Sequence, residues 1–165
     1  MGKAILITGA SRGIGAATAR LAGAKGYAVG VNYKENAAAA ESVVASLVAA
    51  GGRAIAIRAD VSSEADILAM FARVDAELGT LAALVNNTGV LEMQMRVESL
   101  TADRIDRILA TIVRGPFLCS REAVKRMSTR HGGAGGAIVN VSSAAARIGS
   151  PGEYVDYVAS KGALE

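Results

Sequence analysis

The sequence has 165 residues, of which 52% are hydrophobic, and a formal net charge of +3. This length and apolar content predict one domain with a substantial buried core. The basic residues are scattered and aromatic residues make up only 4% of the chain, which argues against a nucleic-acid partner that would need stacking platforms. One cysteine and one histidine allow no internal disulfide and no zinc cluster, so we expect no metal.

Near the amino terminus, Lys3 is followed by a short apolar run that ends at Thr8 and Gly9. That run is too short for a membrane span or for the core of a signal peptide. We therefore expect a cytoplasmic protein with no membrane partner.

Five short apolar runs alternate with segments of helical length. The runs predict β-strands at residues 4–8, 28–31, 54–57, 81–85 and 137–141, each buried on both faces. Helices are predicted at 14–25, 36–50, 63–78 and 102–130, the last interrupted near Gly115 and Pro116, with a further helix starting near Pro151. This alternation predicts an α/β fold: an open, doubly wound parallel sheet with strand order 3-2-1-4-5 and helices on both faces.

The first predicted strand leads directly into Thr8-Gly-Ala-Ser-Arg-Gly-Ile-Gly15, where the first helix begins. Three glycines at this point allow a tight turn, close approach of a pyrophosphate and close packing of the helix on the sheet. The helix N-terminus adds amide donors and the positive end of its dipole. The spacing alone is a weak signal, but its place between strand and helix predicts a phosphate-binding turn. Residues 1–165 are therefore predicted to form one Rossmann-type NAD(P)-binding domain.

The end of the second strand indicates which dinucleotide binds. Proteins that bind NAD usually place a carboxylate there to contact the ribose 2′-hydroxyl. This sequence has Asn32 and Tyr33 at that point, and Arg12 and Lys34 can both face a 2′-phosphate. NADP(H) is therefore predicted in preference to NAD(H), although Glu35 follows closely and leaves NAD(H) open.

Five motifs in this order make the sequence similar to the short-chain dehydrogenase/reductase family along essentially its whole length. They are the turn from Thr8 to Gly15, Asp60-Val61, Asn86-Asn87-Thr88-Gly89, Val141-Ser142-Ser143, and Tyr157-Val158-Ala159-Ser160-Lys161. The resemblance implies that Asp60 and Val61 lie beside the adenine and that Asn87 and Gly89 line the cofactor pocket. From the residues alone, Asp60 is almost as well explained as a capping acid before Ser62. The predicted cofactor-binding set is Gly9, Ser11, Arg12, Gly13, Ile14, Gly15, Asn32, Tyr33, Lys34, Asp60, Val61, Asn87, Gly89, Tyr157 and Lys161.

Tyr157 and Lys161 are four residues apart, so a helix presents both on one face. A phenol is a poor acid or base at neutral pH, and a neighbouring ammonium favours its ionised form. The resemblance implies that Tyr157 exchanges a proton with the substrate oxygen while Lys161 also holds the nicotinamide ribose. Ser143 is the predicted hydroxyl donor to the developing charge, whereas Ser142 can instead contact cofactor or backbone.

Three acidic or aromatic neighbours of this pair have simpler interpretations. Tyr154 has Val158 four residues later instead of a lysine, so it is expected to pack or to shape the substrate pocket. Glu153 and Asp156 are expected to complement the dipole of the predicted helix, since they fall early in it.

The sequence departs from the family pattern at two positions and at its end. Thr88 replaces the usual alanine, and Ile112 stands where members commonly carry the asparagine of a catalytic tetrad. The sequence ends four residues after Lys161, before the strands and lid that usually follow, which suggests a fragment of a longer enzyme.

Two functions follow. The first is an NADP(H)-dependent oxidoreductase that interconverts a small-molecule carbonyl and a secondary alcohol. The alternative is a non-catalytic dinucleotide-binding module or an inactive fragment. The resemblance also implies a homo-oligomer, either a dimer or a tetramer.

Overall fold

The computed structural model describes residues 2–165 and contains a five-stranded parallel sheet. Its strands are β1 (Ala4–Ile7), β2 (Ala28–Tyr33), β3 (Ala54–Arg58), β4 (Leu81–Asn86) and β5 (Ala137–Asn140). They lie in the order β3-β2-β1-β4-β5, and every neighbouring pair is parallel. The predicted strand order is therefore confirmed.

The helices alternate with the strands. They are α1 (Gly13–Ala24), α2 (Ala37–Ala49), α3 (Glu64–Glu77), α4 (Ala102–Leu109), α5 (Gly115–Met127), α6 (Ala145–Ile148) and α7 (Val155–Gly162). Side-chain oxygens of Asn36, Ser63 and Thr101 accept amide hydrogen bonds at the starts of α2, α3 and α4, respectively.

Alternate residues of the central strand feed two separate apolar cores. Ile5 and Ile7 of β1 pack with the buried faces of α1 and α2. Leu6, between them, joins the other core with Phe71 of α3 and Cys119 of α5. The sheet is thus covered on both faces, as doubly wound packing requires.

The prediction that every strand is buried was wrong for β5. Ala137 and Asn140 are exposed, and Val139 is 52% exposed, whereas all four residues of β1 are buried. Within residues 2–165, β5 pairs only with β4 and forms an edge of the sheet. Edge position alone does not explain this exposure, because Ala54 and Ile57 of β3, the other edge strand, are buried under α2 and α3. The faces of β5 are less covered by the described helices than those of β3.

The long helix predicted at 102–130 is divided by a π-helical turn, Ala110–Arg114, between α4 and α5. The amide of Gly115 donates to the carbonyl of Ala110, five residues back, so the irregularity precedes Pro116. The helix predicted near Pro151 begins later, at Val155, because Gly149 and Gly152 both have a φ of 75°. None of the helices in residues 2–165 combines the length and apolar character needed to cross a membrane.

Candidate functional site

The turn between β1 and α1 depends on its glycines. Gly9 and Gly13 have φ angles of 60° and 55°, a conformation that residues with a Cβ rarely adopt. A Cβ on Gly15 would lie 2.5 Å from Nδ2 of Asn87 and 2.6 Å from the carbonyl oxygen of Gly9. Only glycine therefore permits this close approach of α1 to the turn after β4.

Side chains from two strands hold the glycine turn in place. The Thr8 hydroxyl accepts hydrogen bonds of 3.0 Å from the amides of Asn87 and Thr88. Nδ2 of Asn87 donates to the carbonyls of Thr8 and Gly9 at 2.9 and 3.0 Å. The turns after β1 and β4 are thus joined at the carboxyl ends of the strands, where doubly wound folds bind their ligands.

Asn32, predicted to contact the cofactor, uses its side chain inside the fold. It is buried, and its Oδ1 accepts the amide of Gly9 at 3.1 Å. Its Nδ2 donates to the carbonyls of Ile57 and Ala59 at 3.2 and 3.1 Å. The side chain of Asn32 therefore fixes the glycine turn to β2 and β3, and both of its Nδ2 protons are used inside the fold.

An open cleft of about 1630 Å³ extends over the carboxyl ends of the strands. Most of the predicted cofactor-binding residues line it: Gly9, Ser11, Arg12, Gly13, Ile14, Asn32, Tyr33, Lys34, Asp60, Val61, Asn87 and Gly89. The α4 and α5 side contributes further residues, including Asp106, Val113 and Phe117. In the part of the chain that the structure describes, Gly15, Ser143, Tyr157 and Lys161 are not among the lining residues.

The N-terminus of α1 has features that fit a dinucleotide. Its N-cap residue, Arg12, makes no side-chain capping bond, unlike the caps of α2, α3 and α4. Uncapped amides at the positive end of a helix dipole are suited to a phosphate group. A Cβ on Gly13 would meet no atom within 4 Å, so the space in front of the turn is open. These residues can therefore hold the pyrophosphate of a nicotinamide cofactor.

The two cations predicted for a 2′-phosphate differ in their surroundings. Arg12 is exposed, whereas Nζ of Lys34 lies 2.9 Å from Oδ2 of Asp60. This pairing raises the pKa of Lys34 above its usual value. Oδ1 of Asp60 accepts the amide and hydroxyl of Ser62 at 2.9 and 2.7 Å, but the residue that caps α3 is Ser63, so Asp60 is not the helix cap. Asp60 also lines the cleft.

Lys161 and Tyr157 lie together beside the cleft. Lys161 is buried, and its Nζ donates to the carbonyl of Val141 at 2.7 Å. The same nitrogen is 5.8 Å from the centre of the Tyr157 ring and 3.5 Å from the position that a Cβ on Gly89 would occupy. Because Gly89 lines the cleft, the ammonium stands at its edge. Burial lowers the pKa of Lys161.

The two serines after β5 have different partners. Ser142 donates to the carbonyl of Lys161 at 3.2 Å and also lies 3.1 Å from Oε1 of Glu165. Ser143 accepts the amide of Ala145 at 3.2 Å, which leaves its proton available to another acceptor. Ser142 therefore binds the backbone of α7, while the hydroxyl proton of Ser143 is free to be donated.

In residues 2–165, no group of three or more His, Cys, Asp or Glu is arranged to hold a metal ion.

A family model described as short chain dehydrogenase matches residues 3–165. The chain belongs to the short-chain dehydrogenase/reductase family.

Individual relatives match nearly the whole chain but only part of their own length. An uncharacterized oxidoreductase of Escherichia coli, YgfF, is 58% identical over 97% of this chain and 65% of its own. A 3-oxoacyl-[acyl-carrier-protein] reductase of Staphylococcus aureus is 36% identical over 98% of this chain and 63% of its own. A solved short-chain dehydrogenase of Burkholderia cenocepacia in complex with NADP has a TM-score of 0.90 and 40% identity. That match covers 99% of this chain and 64% of the solved one. This chain therefore spans about two thirds of the length of these short-chain dehydrogenases/reductases.

The two departures from the family pattern differ in burial: Ile112 is buried, whereas Thr88 is half-buried and lines the cleft. Ile112 is fully buried within the π-helical turn, which packs against α7. Thr88 has a buried Oγ1 without a hydrogen-bond partner among residues 2–165. An isoleucine at position 112 provides no side-chain donor or acceptor toward α7, as the sequence predicts.

The expectations for the neighbours of Tyr157 need correction. Glu153 lies directly before Tyr154, the N-cap residue of α7, so it is outside the helix in which it was predicted, and its Oε2 accepts a hydrogen bond from Ser150. Asp156 does lie in the first turn of α7, but it is buried and paired with Arg104 at 2.7 Å. Tyr154 is the half-buried N-cap residue of α7.

Sequence reasoning missed Arg104 altogether. It is a charged residue on a helix face that is otherwise apolar: Arg104 and Ile108, four residues apart, are the two buried residues of α4. That spacing is the one signal in the sequence, since it puts Arg104 on the buried face of the helix.

Proposed function

We propose that this chain is the cofactor-binding and catalytic part of an NADP(H)-dependent oxidoreductase that interconverts a carbonyl and a secondary alcohol. The observation that carries the proposal is the buried ammonium of Lys161, next to the ring of Tyr157 and beside Gly89 at the edge of the cleft. A buried charge is costly, so its position next to a phenol at a ligand cleft favours a catalytic role.

The bound cofactor would supply or accept a hydride at the carbon of the reacting group. In the reducing direction, the hydroxyl of Tyr157 gives its proton to the carbonyl oxygen, which becomes the alcohol oxygen. Lys161 stabilises the phenolate that is left, and water then returns the proton to Tyr157. The Ser143 hydroxyl donates a hydrogen bond to the same oxygen as negative charge develops there.

The decisive test is consumption of NADPH by the 165-residue chain with a panel of carbonyl probes. The panel contains a β-keto ester, a 3-oxoacyl thioester, an aromatic diketone and an aldose sugar. The thioester is included because one relative, at 36% identity, is named a 3-oxoacyl-[acyl-carrier-protein] reductase. We expect turnover with at least one probe and a loss of about 100-fold or more in Tyr157→Phe, which lacks the proton donor. Tyr27→Phe, at a tyrosine that packs against the core under α1 and α2 and does not line the cleft, is the control and should keep its turnover.

The preference for NADP(H) is supported by Arg12 and Lys34 at the cleft and by the NADP complex of the Burkholderia cenocepacia relative. To bind a 2′-phosphate, Lys34 would exchange Asp60 for the ligand. We expect Lys34→Ala to raise the Kd of NADPH about tenfold and to leave the Kd of NADH unchanged, because only NADPH carries the extra phosphate. Lys25→Ala, an exposed lysine at the opposite end of α1, is the control. Equal weakening of both cofactors would contradict the preference.

A non-catalytic dinucleotide-binding module is the second candidate, and Ile112 favours it. The fully buried isoleucine supplies no polar group to α7 where members of the family commonly have an asparagine. This candidate predicts tight NADPH binding and no turnover beyond that of Tyr157→Phe with any probe of the panel.

A homo-oligomer is also proposed, on the support of apolar side chains on the outer face of the α4 and α5 segment. Ile105 and Val124, which do not line the cleft, are 36% and 45% exposed. Light scattering should give a mass of two or four chains, and a monomer at all concentrations would contradict this expectation.

A further inference from the structure

A buried ion pair joins α4 to α7 directly beside Tyr157. Nε of Arg104 lies 2.7 Å from Oδ2 of Asp156, and Nη2 lies 3.4 Å from Oδ1. The two side chains are only 5% and 3% exposed. The other ion pairs between the described helices, such as Arg126 with Asp75, have at least one partner that is much more exposed.

The same two side chains contact two further parts of the site. Nη1 of Arg104 donates to the carbonyl of Met93 at 2.7 Å, in the segment that follows the turn after β4. Oδ1 of Asp156 accepts the backbone amide of Tyr157 at 2.9 Å. A backbone hydrogen bond of 2.9 Å from Met95 to Glu153 joins the same two segments. Arg104 thus fixes the segment after β4 and the first turn of α7 relative to each other.

Helix α7 needs such external contacts to have a defined position. It has only eight residues, and its N-cap residue, Tyr154, makes no side-chain capping bond. An isolated helix of that length is unstable in water, so tertiary contacts must determine where it lies. Stability alone does not explain a charged contact, because apolar residues of similar volume often stabilise a buried position equally well or better.

We propose that the pair of Arg104 and Asp156 is a positioning element that fixes the first turn of α7, and with it the hydroxyl of Tyr157, against the wall formed by residues 92–95. The inference rests on the proposed function for its catalytic consequence, but the geometry that it describes can be measured without turnover. Neither residue touches the reacting atoms; both act through the backbone on which Tyr157 is carried.

The test uses three variants of the full chain: Arg104→Met, Asp156→Leu and the double variant. Each single variant leaves one buried charge without its partner, so we expect its Tm to fall by about 5 °C or more. The Tm of the double variant should be close to that of the unmodified chain, because two apolar side chains replace the ion pair. Its kcat should nevertheless stay about 10-fold or more below that of the unmodified chain, with the Kd of NADPH unchanged, since a small displacement of a catalytic group is costly.

Hydrogen exchange provides the readout that does not need turnover. The amides of residues 157–161 should exchange faster in the double variant than in the unmodified chain, even where the two Tm values agree. Arg126→Met is the control for general destabilisation, since it breaks the contact of α5 with Asp75 at the end of α5 remote from the cleft. It should lower the Tm and leave both kcat and exchange in α7 unchanged.

The outcomes separate this inference from the proposed function. A double variant with the kcat and α7 exchange of the unmodified chain would overturn the positioning role. An unmodified chain that turns over no probe contradicts the proposed function, and exchange in α7 then decides the positioning role by itself.

Discussion

The two parts of the candidate site are held in place by different kinds of interaction. The turns after β1 and β4 are joined by hydrogen bonds in which the Thr8 hydroxyl accepts the amide of Asn87 and the Asn87 side chain donates to carbonyls of the glycine turn. Asn32 of β2 accepts the amide of Gly9. Helix α7, which carries Tyr157 and Lys161, is held by a buried ion pair and by one ammonium-to-carbonyl bond. The first part is neutral and belongs to the centre of the sheet, whereas the second is charged and lies next to an edge strand.

This difference predicts different responses to mutation and to pH. Neutral hydrogen bonds within a close-packed turn should be insensitive to pH and sensitive to added volume. Charged groups that are buried in pairs should be sensitive to pH, because their protonation states are coupled to folding. The four experiments below test that contrast, from the largest expected effect to the smallest.

The largest difference between the two regions should appear when a glycine of each is replaced with alanine, which adds one methyl group. In Gly15→Ala the new Cβ would lie 2.5 Å from Asn87, so α1 or the turn after β4 must move. Such overpacking costs about 1–3 kcal/mol, and we expect the Kd of NADPH to rise about 10- to 100-fold. Gly162→Ala is the matched control in α7, where a Cβ meets no atom within 4 Å. Fluorescence titration with NADPH measures both, and equal Kd values for the two variants would refute the close packing.

Acid should weaken the hold on α7 through Asp156. Burial by itself would raise the pKa of this carboxyl, but Arg104 and the amide of Tyr157 hold it below its ordinary value of 3.8. The pKa of Asp156 is thus lower in the folded chain than in the unfolded chain. The ionised carboxylate therefore stabilises the fold above pH 3.8, and this stabilisation is lost as the pH falls through the folded-state pKa. At pH 7 we expect Asp156→Asn to have a Tm about 5 °C lower than the unmodified chain.

That difference should disappear at low pH, where Asp156 of the unmodified chain is protonated and, like the asparagine of the variant, uncharged. Thermal unfolding followed by circular dichroism from pH 2 to 7 measures it. Asp75→Asn removes a more exposed carboxylate and should show a smaller difference throughout. A difference between the unmodified chain and Asp156→Asn that does not depend on pH would contradict the coupling of this carboxyl to folding.

Raising the pH should stabilise the folded chain through Lys161. Burial lowers the pKa of its ammonium below the ordinary value of 10.5, so the folded state loses this proton before the unfolded state does. The cost of burying the charge is therefore relieved as the pH rises through the folded value toward 10.5. Relative to Lys161→Met, the unmodified chain should gain unfolding free energy over that interval, as measured with urea from pH 7 to 10.5. Lys3→Met, at an exposed lysine, should show no such trend.

Replacing Ile112 with asparagine should have the smallest effect, and it acts on the boundary between the regions. Ile112→Asn places a polar amide in the π-helical turn that packs against α7. We expect a lower Tm, because the position is fully buried, together with a few-fold rise in kcat from the restored polar group. Ile108→Asn, buried one turn earlier in α4, should lose stability without any gain in kcat. Similar kcat changes in both variants would show that position 112 has no special role.

The sheet and the glycine turn could be predicted from the sequence because their signals are local. Apolar runs such as residues 4–8 mark strands, and the glycines that follow them mark turns, with no knowledge of distant residues needed. The exposure of β5 could not be predicted in this way, because it depends on how far helices from other parts of the chain cover each strand. The start of α7 was placed four residues too early, since the sequence does not reveal that Gly149 and Gly152 adopt positive φ angles.

The roles of the charged residues were harder to predict, because each depends on a partner far away in the sequence. Asp156 was interpreted as a helix-dipole acid, while its partner, Arg104, lies 52 residues earlier. Lys34 was predicted to be free for a phosphate, while Asp60 pairs with it from the end of the next strand. These pairings follow from the strand order and from the packing of α4 against α7.

The wide turn at Ala110–Arg114 has a consequence for the geometry of the entire α4 and α5 segment. Four of the buried residues in this segment are spaced four apart: Arg104, Ile108, Ile112 and Pro116. In a regular α-helix each such step rotates the side chain about 40° further round the axis, so three steps would turn Pro116 away from the side on which Arg104 lies. A turn with an additional residue takes up that rotation. Deleting one residue from it would therefore rotate the two helical halves by about 100° relative to each other, and would detach Arg104 from Asp156 although both of these side chains are kept.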